Sequence, residues 1–239
     1  MGLPTAILFD LDDTLISAHL HPRKAWSKAL ETLDGGLPGT TATEDAAAAI
    51  HSAARWYWSD PERHRVGRLD ILTARKTILG KAFDGMGWSE DADLIDRLGR
   101  HFTEQRRRDT KLFPDAVETL EGLSQRGVKL GLITNGNAVE QRAKVDRFDL
   151  ARHFEHVQIE GEVGVGKPEE RAYALALEKL GTRVEETWII GDNLDWEVIV
   201  PQRLGFYSIW RDPIGKGLPE GTSAKPDRIV TRLADLLGS

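Results

Sequence analysis

The stretch Ala6-Ile7-Leu8-Phe9-Asp10-Leu11-Asp12-Asp13-Thr14-Leu15 constrains this chain more than any other. An apolar run climbs directly into a cluster of carboxylates and stops. Ile7, Leu8 and Phe9 are too few for a helix and read as a buried strand. Asp10 then sits where that strand ends, with Asp12 two residues and Thr14 four residues further on. In α/β proteins the carboxyl ends of parallel strands are where ligands bind. Acids crowded at such a point are costly unless a cation or specific hydrogen bonds compensate them. A plain acidic turn leaves unexplained why the acids abut the most apolar residues.

Downstream of this stretch the pattern divides in two. From Ser17 to about Lys111 no strand is evident. Helices are expected over Pro22–Leu33, Thr43–Trp58, Leu69–Phe83 and Ser89–Arg108. Gly35, Gly36, Pro38 and Gly39, then Asp60-Pro61, then Gly85–Trp88 break them. Pro22 suits a first turn, Ser89 a cap, and Arg106-Arg107-Arg108 the negative end of a helix dipole. From Pro114 strands and helices alternate. Helices are expected over Asp115–Arg126, from Asn137, and over Pro168–Leu180, with a closing one to Leu237. Strands are expected at Val128–Ile133, Val157–Ile159, Thr187–Ile190, Phe206–Trp210 and Arg228–Val230. Alternation of this kind implies a parallel sheet covered on both faces. The expected architecture is therefore α/β, a Rossmann-like parallel sheet with an all-helical domain inserted after the first strand. The core comprises residues 1–16 and 112–239, and the insert residues 17–111.

Composition removes several function classes. The 239 residues suffice for one large domain or two smaller ones. A net charge of −6 argues against non-specific binding to nucleic acid or anionic membrane. The chain has no cysteine, which excludes disulfides, thiolate nucleophiles and sulfur-ligated zinc. The seven histidines show no metal spacing. No apolar run approaches the roughly 18 residues of a membrane span. With no signal peptide evident, a cytoplasmic protein is expected.

Three clusters fall at the ends of core strands, Asp10 with Asp12, Thr134-Asn135-Gly136, and Gly191-Asp192-Asn193 with Asp195 and Glu197 just beyond, and between the last two Lys167-Pro168 opens a helix. In a parallel sheet these ends share one edge. Carboxylates collect a divalent metal; a hydroxyl, backbone N–H groups and an ammonium collect an anion. The two side by side describe phosphoryl chemistry.

The ordered set Asp10-Leu11-Asp12-Asp13-Thr14, Thr134-Asn135, Lys167-Pro168 and Gly191-Asp192 resembles the haloacid dehalogenase (HAD) superfamily, mostly phosphatases, over essentially the whole chain. The helical insert resembles that family's C1-type cap. Leu132–Gly136, Gln141-Arg142 and Glu160-Gly161-Glu162 look like its nucleotide and N-acylneuraminate phosphate phosphatases. The resemblance implies an Mg²⁺-dependent phosphatase acting on a small phosphorylated metabolite, as a monomer or homodimer. Asp10 would be the nucleophile, forming an aspartyl-phosphate. Asp12 would protonate the leaving oxygen and then take a proton from water. Thr134, the N–H of Asn135 and Lys167 would hold the phosphoryl group. Asp10, Asp192 and the backbone carbonyl of Asp12 would hold Mg²⁺, with Asp13 and Thr14 shaping the loop. Many relatives have aspartate where this chain has Glu197. Glu197, Asp195 or Asn193 would then complete the metal's outer shell.

Other residues carry plainer readings. His19 and His21 lie near the start of the insert. Trp56-Tyr57-Trp58 point in different directions on a helix, so some belong to its core. Arg23, Lys24, Arg65, Arg68 and Arg75 are candidate substrate contacts that are more often solvated charges. Three other activities compete on the same motifs: a 2-haloacid dehalogenase, a phosphosugar mutase and a binding protein with a dead site. Asp12 weighs against the dehalogenase, because halide leaves without a proton. The intact set of reactive groups weighs against the binding protein.

Overall fold

The N-terminal apolar run is an inner strand. All four residues of β1 (Ala6–Phe9) are fully buried, which only a strand covered on both faces achieves. In the computed structural model, residues 2–18, 20, 22–33, 37, 38, 41–88 and 91–238 are described. After β1 the chain turns through Asp13, whose φ of 58° is left-handed, a conformation aspartate tolerates better than most side chains. It then enters the short strand β2 (Ile16–Ser17). The backbone forms two compact units, Ala18–Thr110 and the remainder of the chain.

The first unit is all-helical: α1 (Pro22–Glu31), α2 (Thr43–Trp58), α3 (Pro61–Gly67), α4 (Ile71–Met86) and α5 (Ala92–Asp109). Asp60-Pro61 breaks the helical run as expected, α2 ending at Trp58, and also starts the additional helix α3. The Asp60 carboxylate accepts the Arg63 N–H at 2.8 Å and proline occupies the first turn, the usual chemistry of a helix start. Asp91 caps α5 through the N–H groups of Asp93 and Leu94. Ser89, expected in that role, lies outside the described residues, as do Gly35, Gly36, Gly39, His19 and His21. The unit has its own core, in which Ile50, Leu79, Phe83 and Leu98 are buried. Trp26 stacks on Phe102 with ring centroids 3.6 Å apart. Each such side chain contributes about 1.5–3 kcal/mol on burial. Of the aromatic triplet, Tyr57 is buried in that core and Trp56 is exposed.

The second unit continues with β3 (Lys111–Leu112), paired antiparallel to β2. Two-residue strands carry no periodicity, so neither was expected. The chain then alternates through α6 (Ala116–Ser124), β4 (Lys129–Thr134), α7 (Ala138–Arg147), β5 (His156–Ile159), α8 (Glu160–Val163) and α9 (Glu170–Leu180). There follow β6 (Thr187–Gly191), a π-helical segment (Leu194–Ile199), α10 (Val200–Leu204), β7 (Tyr207–Arg211) and β8 (Arg228–Val230). The closing segment Leu233–Gly238 is a 3₁₀ turn. Six strands form one sheet in the order β5-β4-β1-β6-β7-β8, every neighbouring pair parallel. Leu8, Ile133 and Ile189 of the sheet pack on Ala172, Tyr173, Ala176 and Leu180 of α9. From β1 the chain builds outward on one side through β4 and β5, then returns to the other side at β6. The strand order therefore reverses beside β1, the position where open α/β sheets bind ligands. Among the described residues no helix is long and apolar enough to cross a membrane.

Candidate active site

The site begins where β1 ends. The Asp10 N–H donates to Ile190 O at 2.9 Å, which fixes its backbone against β6. Asp10 Oδ2 accepts from the buried Thr14 hydroxyl at 3.1 Å. Lys167 Nζ lies 2.7 Å from Asp10 Oδ1 and 2.7 Å from Glu197 Oε1. One ammonium thus bridges two carboxylates, and the lysine is wholly out of solvent. Its backbone is clamped by the Asn135 side chain. Asn135 Oδ1 accepts the Lys167 N–H at 2.8 Å, and Asn135 Nδ2 donates to Lys167 O at 2.6 Å. Sequence reasoning assigned Asn135 only its backbone N–H and missed this clamp. Glu160, which entered the sequence reading only through the resemblance, is a buried carboxylate that accepts the Gly136 N–H at 2.9 Å. Gly166 leaves room for both side chains, since a Cβ there would stand 2.4 Å from Glu160 Cδ and 2.8 Å from Asn135 Oδ1. Lys167-Pro168 is a cis peptide, and α9 starts at Glu170. Pro168 is therefore not a first helical residue, contrary to the sequence expectation.

β6 brings the last cluster alongside. Ile190 pairs with Phe9, so Asp192 emerges next to Asp10. Glu197 makes contacts the sequence did not announce. Its Oε1 meets Lys167, and its Oε2 accepts the Asn193 N–H at 3.0 Å. The longer side chain passes directly beneath Gly191, where a Cβ would fall 2.2 Å from Glu197 Cγ. Asn193 spends its side-chain oxygen on the N–H groups of Asp195 and Trp196, at 3.0 and 3.1 Å. Asp195 is exposed.

Asp12 and Thr134 are tied together by α7. Gln141 Nε2 donates to Thr134 Oγ1 at 2.6 Å and to Asp12 Oδ2 at 3.1 Å. Lys144 Nζ donates to both Asp12 oxygens, at 2.8 and 2.7 Å. Gln141 entered the sequence reading only through the resemblance, and Lys144 not at all.

The electrostatics leave negative charge uncompensated at the site. Burial pushes the Asp10 carboxyl above its ordinary range even though the Lys167 charge pulls it down. Glu197 is pushed up to about 7, by burial first, with Lys167 opposing and Asp10 adding. Asp192 is held well above the usual carboxylate range by burial and by the charges of Asp10, Glu197 and Asp13. Burial by itself would depress Lys167, but Asp10 and Glu197 override it and hold its pKa above that of an ordinary lysine. Asp10, Glu197 and Asp192 thus share the charge of a single buried ammonium, Lys167. Among the described residues no three acidic or histidine side chains form a metal-holding group. The expected set needs only the carboxylates of Asp10 and Asp192 with the Asp12 carbonyl. Hard oxygen donors carrying excess negative charge fit Mg²⁺.

Comparison with known proteins agrees with this fold. Residues 4–205 match the haloacid dehalogenase-like hydrolase family model. The phosphoserine phosphatase of Thermus thermophilus is 33% identical over 253 residues, covering 96% of this chain and 96% of that protein. The glyceraldehyde 3-phosphate phosphatase of Methanopyrus kandleri is 28% identical over 235 residues, covering 97% and 95%. Among solved structures, the Bacillus subtilis protein YfnB, crystallised with magnesium, superposes with a TM-score of 0.74 at 22% identity, covering 99% of this chain and 98% of that one. At that identity the likeness speaks for the fold alone. With the family match spanning most of its length, this chain belongs to the haloacid dehalogenase-like hydrolases.

Proposed function

We propose that the protein is an Mg²⁺-dependent phosphatase that hydrolyses a small phosphorylated metabolite, of the sugar phosphate or nucleotide class, through an aspartyl-phosphate. The observation that carries this reading is the 2.7 Å contact of Lys167 with Asp10 at the end of the central strand. The phosphatase names of the full-length relatives support it.

An Asp10 oxygen attacks phosphorus while the bond from phosphorus to the ester oxygen breaks. Asp12 gives that oxygen its proton. Water then attacks phosphorus, Asp12 takes its proton, and Asp10 leaves as carboxylate. Thr134 accepts a hydrogen bond from Gln141, and its own proton remains to be donated to a phosphoryl oxygen. The Asn135 N–H and Lys167 supply further positive poles around the transferring group. Asp10, Asp192 and the Asp12 carbonyl would hold Mg²⁺, which supplies charge neutralisation beside the phosphoryl oxygens. Glu197 orients Lys167 toward Asp10. We assign substrate selection to the helical unit, as the family's cap. The dehalogenase alternative gives Asp12 no task, because halide departs unprotonated.

A phosphate-release screen with Mg²⁺ over sugar phosphates, nucleotides and small organic phosphates, phosphoserine and glyceraldehyde 3-phosphate included, tests the reading. Asp10→Asn serves as the blank. Turnover by the wild type and none by the variant is the expected result. Wild-type turnover in Asp10→Asn refutes the assignment.

A further inference from the structure

Asp12 must deliver a proton to one oxygen and later collect one from another, so its carboxyl has to stand in a fixed place. The hold comes from a helix more than a hundred residues away. Gln141 and Lys144 are three positions apart on α7 and so share a face. Lys144 Nζ lies 2.8 and 2.7 Å from the two Asp12 oxygens and 2.6 Å from Gln141 Oε1. Gln141 Nε2 reaches Asp12 Oδ2 and Thr134 Oγ1.

We propose that Lys144, with Gln141, is a positioning residue for Asp12 in the phosphatase reaction argued above, on which this inference rests. The alternative is an ordinary surface ion pair. Three features separate this one from that class. The side chains of Lys144 and Asp12 are only 23% and 18% exposed. The ammonium takes both carboxylate oxygens together with a buried amide. That amide in turn grips Thr134, so one bonded chain fixes the proton carrier relative to a phosphate-binding hydroxyl. Charge-assisted bonds of this geometry impose direction as well as attraction. Proton transfer requires heavy atoms within about 2.6–3.2 Å, and a misplacement of about 1 Å costs on the order of 10² in rate. The proton that moves belongs to Asp12, the leaving oxygen or water.

The test compares two esters whose leaving groups differ in basicity, p-nitrophenyl phosphate and phenyl phosphate. The poorer leaving group depends more on protonation. In Lys144→Met the ratio of kcat on the nitrophenyl ester to kcat on the phenyl ester is expected to rise about tenfold, part of the 10²–10⁴ that an acid–base group contributes, with KM little changed. Lys144→Arg should recover part of the ratio, and Lys144→Gln should fall between. Asp12→Asn should raise the ratio further, and adding Lys144→Met to it should raise it no more. A ratio in folded Lys144→Met or Lys144→Gln equal to wild type, with Asp10→Asn inactive, overturns the inference alone. Turnover surviving in Asp10→Asn overturns the phosphatase reading, and this inference with it.

Discussion

Lys167 Nζ stands 2.7 Å from Asp10 Oδ1 inside a site from which the lysine has no access to solvent. Among the described residues it is the one ammonium that shapes the ionisation of Asp10, Glu197 and Asp192. Lys167→Met therefore strands buried carboxylates. Removing one partner of a buried pair costs about 3–5 kcal/mol, and loss of a positive pole at the reacting group costs on the order of 10²–10³ in kcat. Urea denaturation and phosphate release on the same preparation check both. Stability within about 0.5 kcal/mol of wild type, well under that cost, would show that the lysine does not carry this charge.

Gly191 and Glu197 form a second coupled pair. A methyl group at Gly191 would overlap the Glu197 stem at 2.2 Å, and the Glu197 carboxylate is pinned by Lys167 and the Asn193 N–H. Neither side can yield, so Gly191→Ala should cost about 1–3 kcal/mol by overpacking. In a Glu197→Ala background the same change should cost less than about 0.5 kcal/mol, the limit expected of uncoupled sites. Equal costs in both backgrounds, read by urea denaturation, would show that the glutamate stem is not the obstacle.

The parts of the site that could be read from the sequence are those fixed by strand topology. Asp10, Thr134 and Asp192 lie at or just past the ends of three adjacent parallel strands, so an apolar run followed by a polar residue sufficed to bring them together. Lys167 needed the resemblance as well, because a loop and not a strand delivers it. The contact of Glu197 with Lys167 was not legible for a geometric reason. The segment Leu194–Ile199 winds as a π-helix, which turns the fifth residue after Asp192 back under Gly191 and onto Lys167. Lys144 left no local signal, since its partner Asp12 is 132 positions distant and a lysine on an amphipathic helix ordinarily faces water. The β2–β3 pair was invisible because two residues define no period.

In the helical unit, His51 gives a pH signature. It lies half-buried on α2, and its Nδ1 finds no hydrogen-bond partner among the described residues. Burial, then the charges of Arg55 and Arg23, hold its pKa below the ordinary 6.5. As pH falls through 6.5 the unfolded chain takes up the proton first, so the unfolded state binds more protons and stability drops. Above that value the histidine contributes nothing to the slope. The stability difference between wild type and His51→Gln should therefore be constant above about pH 7.5 and shift against the wild type toward pH 5.5. Parallel urea midpoints across that interval would contradict the depressed pKa.

Mg²⁺ should bind and stabilise the protein without any substrate present. Burial first, then the charges of Asp10, Glu197 and Asp13, hold the Asp192 carboxyl well above the usual range, and burial raises Asp10 as well. A divalent cation between them removes that repulsion, and only the folded chain assembles the set. Binding to the native state alone adds about 2.7 kcal/mol at a concentration one hundred times Kd, so Tm should rise with added MgCl₂ and fall back on chelation. Asp192→Asn removes one of the two carboxylates and should abolish the rise. Asp195→Asn changes an exposed acid only three residues away and should leave the rise intact. The two variants have the same change in net charge, so the contrast separates a specific site from general screening. An Mg²⁺-induced shift in Asp192→Asn equal to that of wild type would place the ion elsewhere.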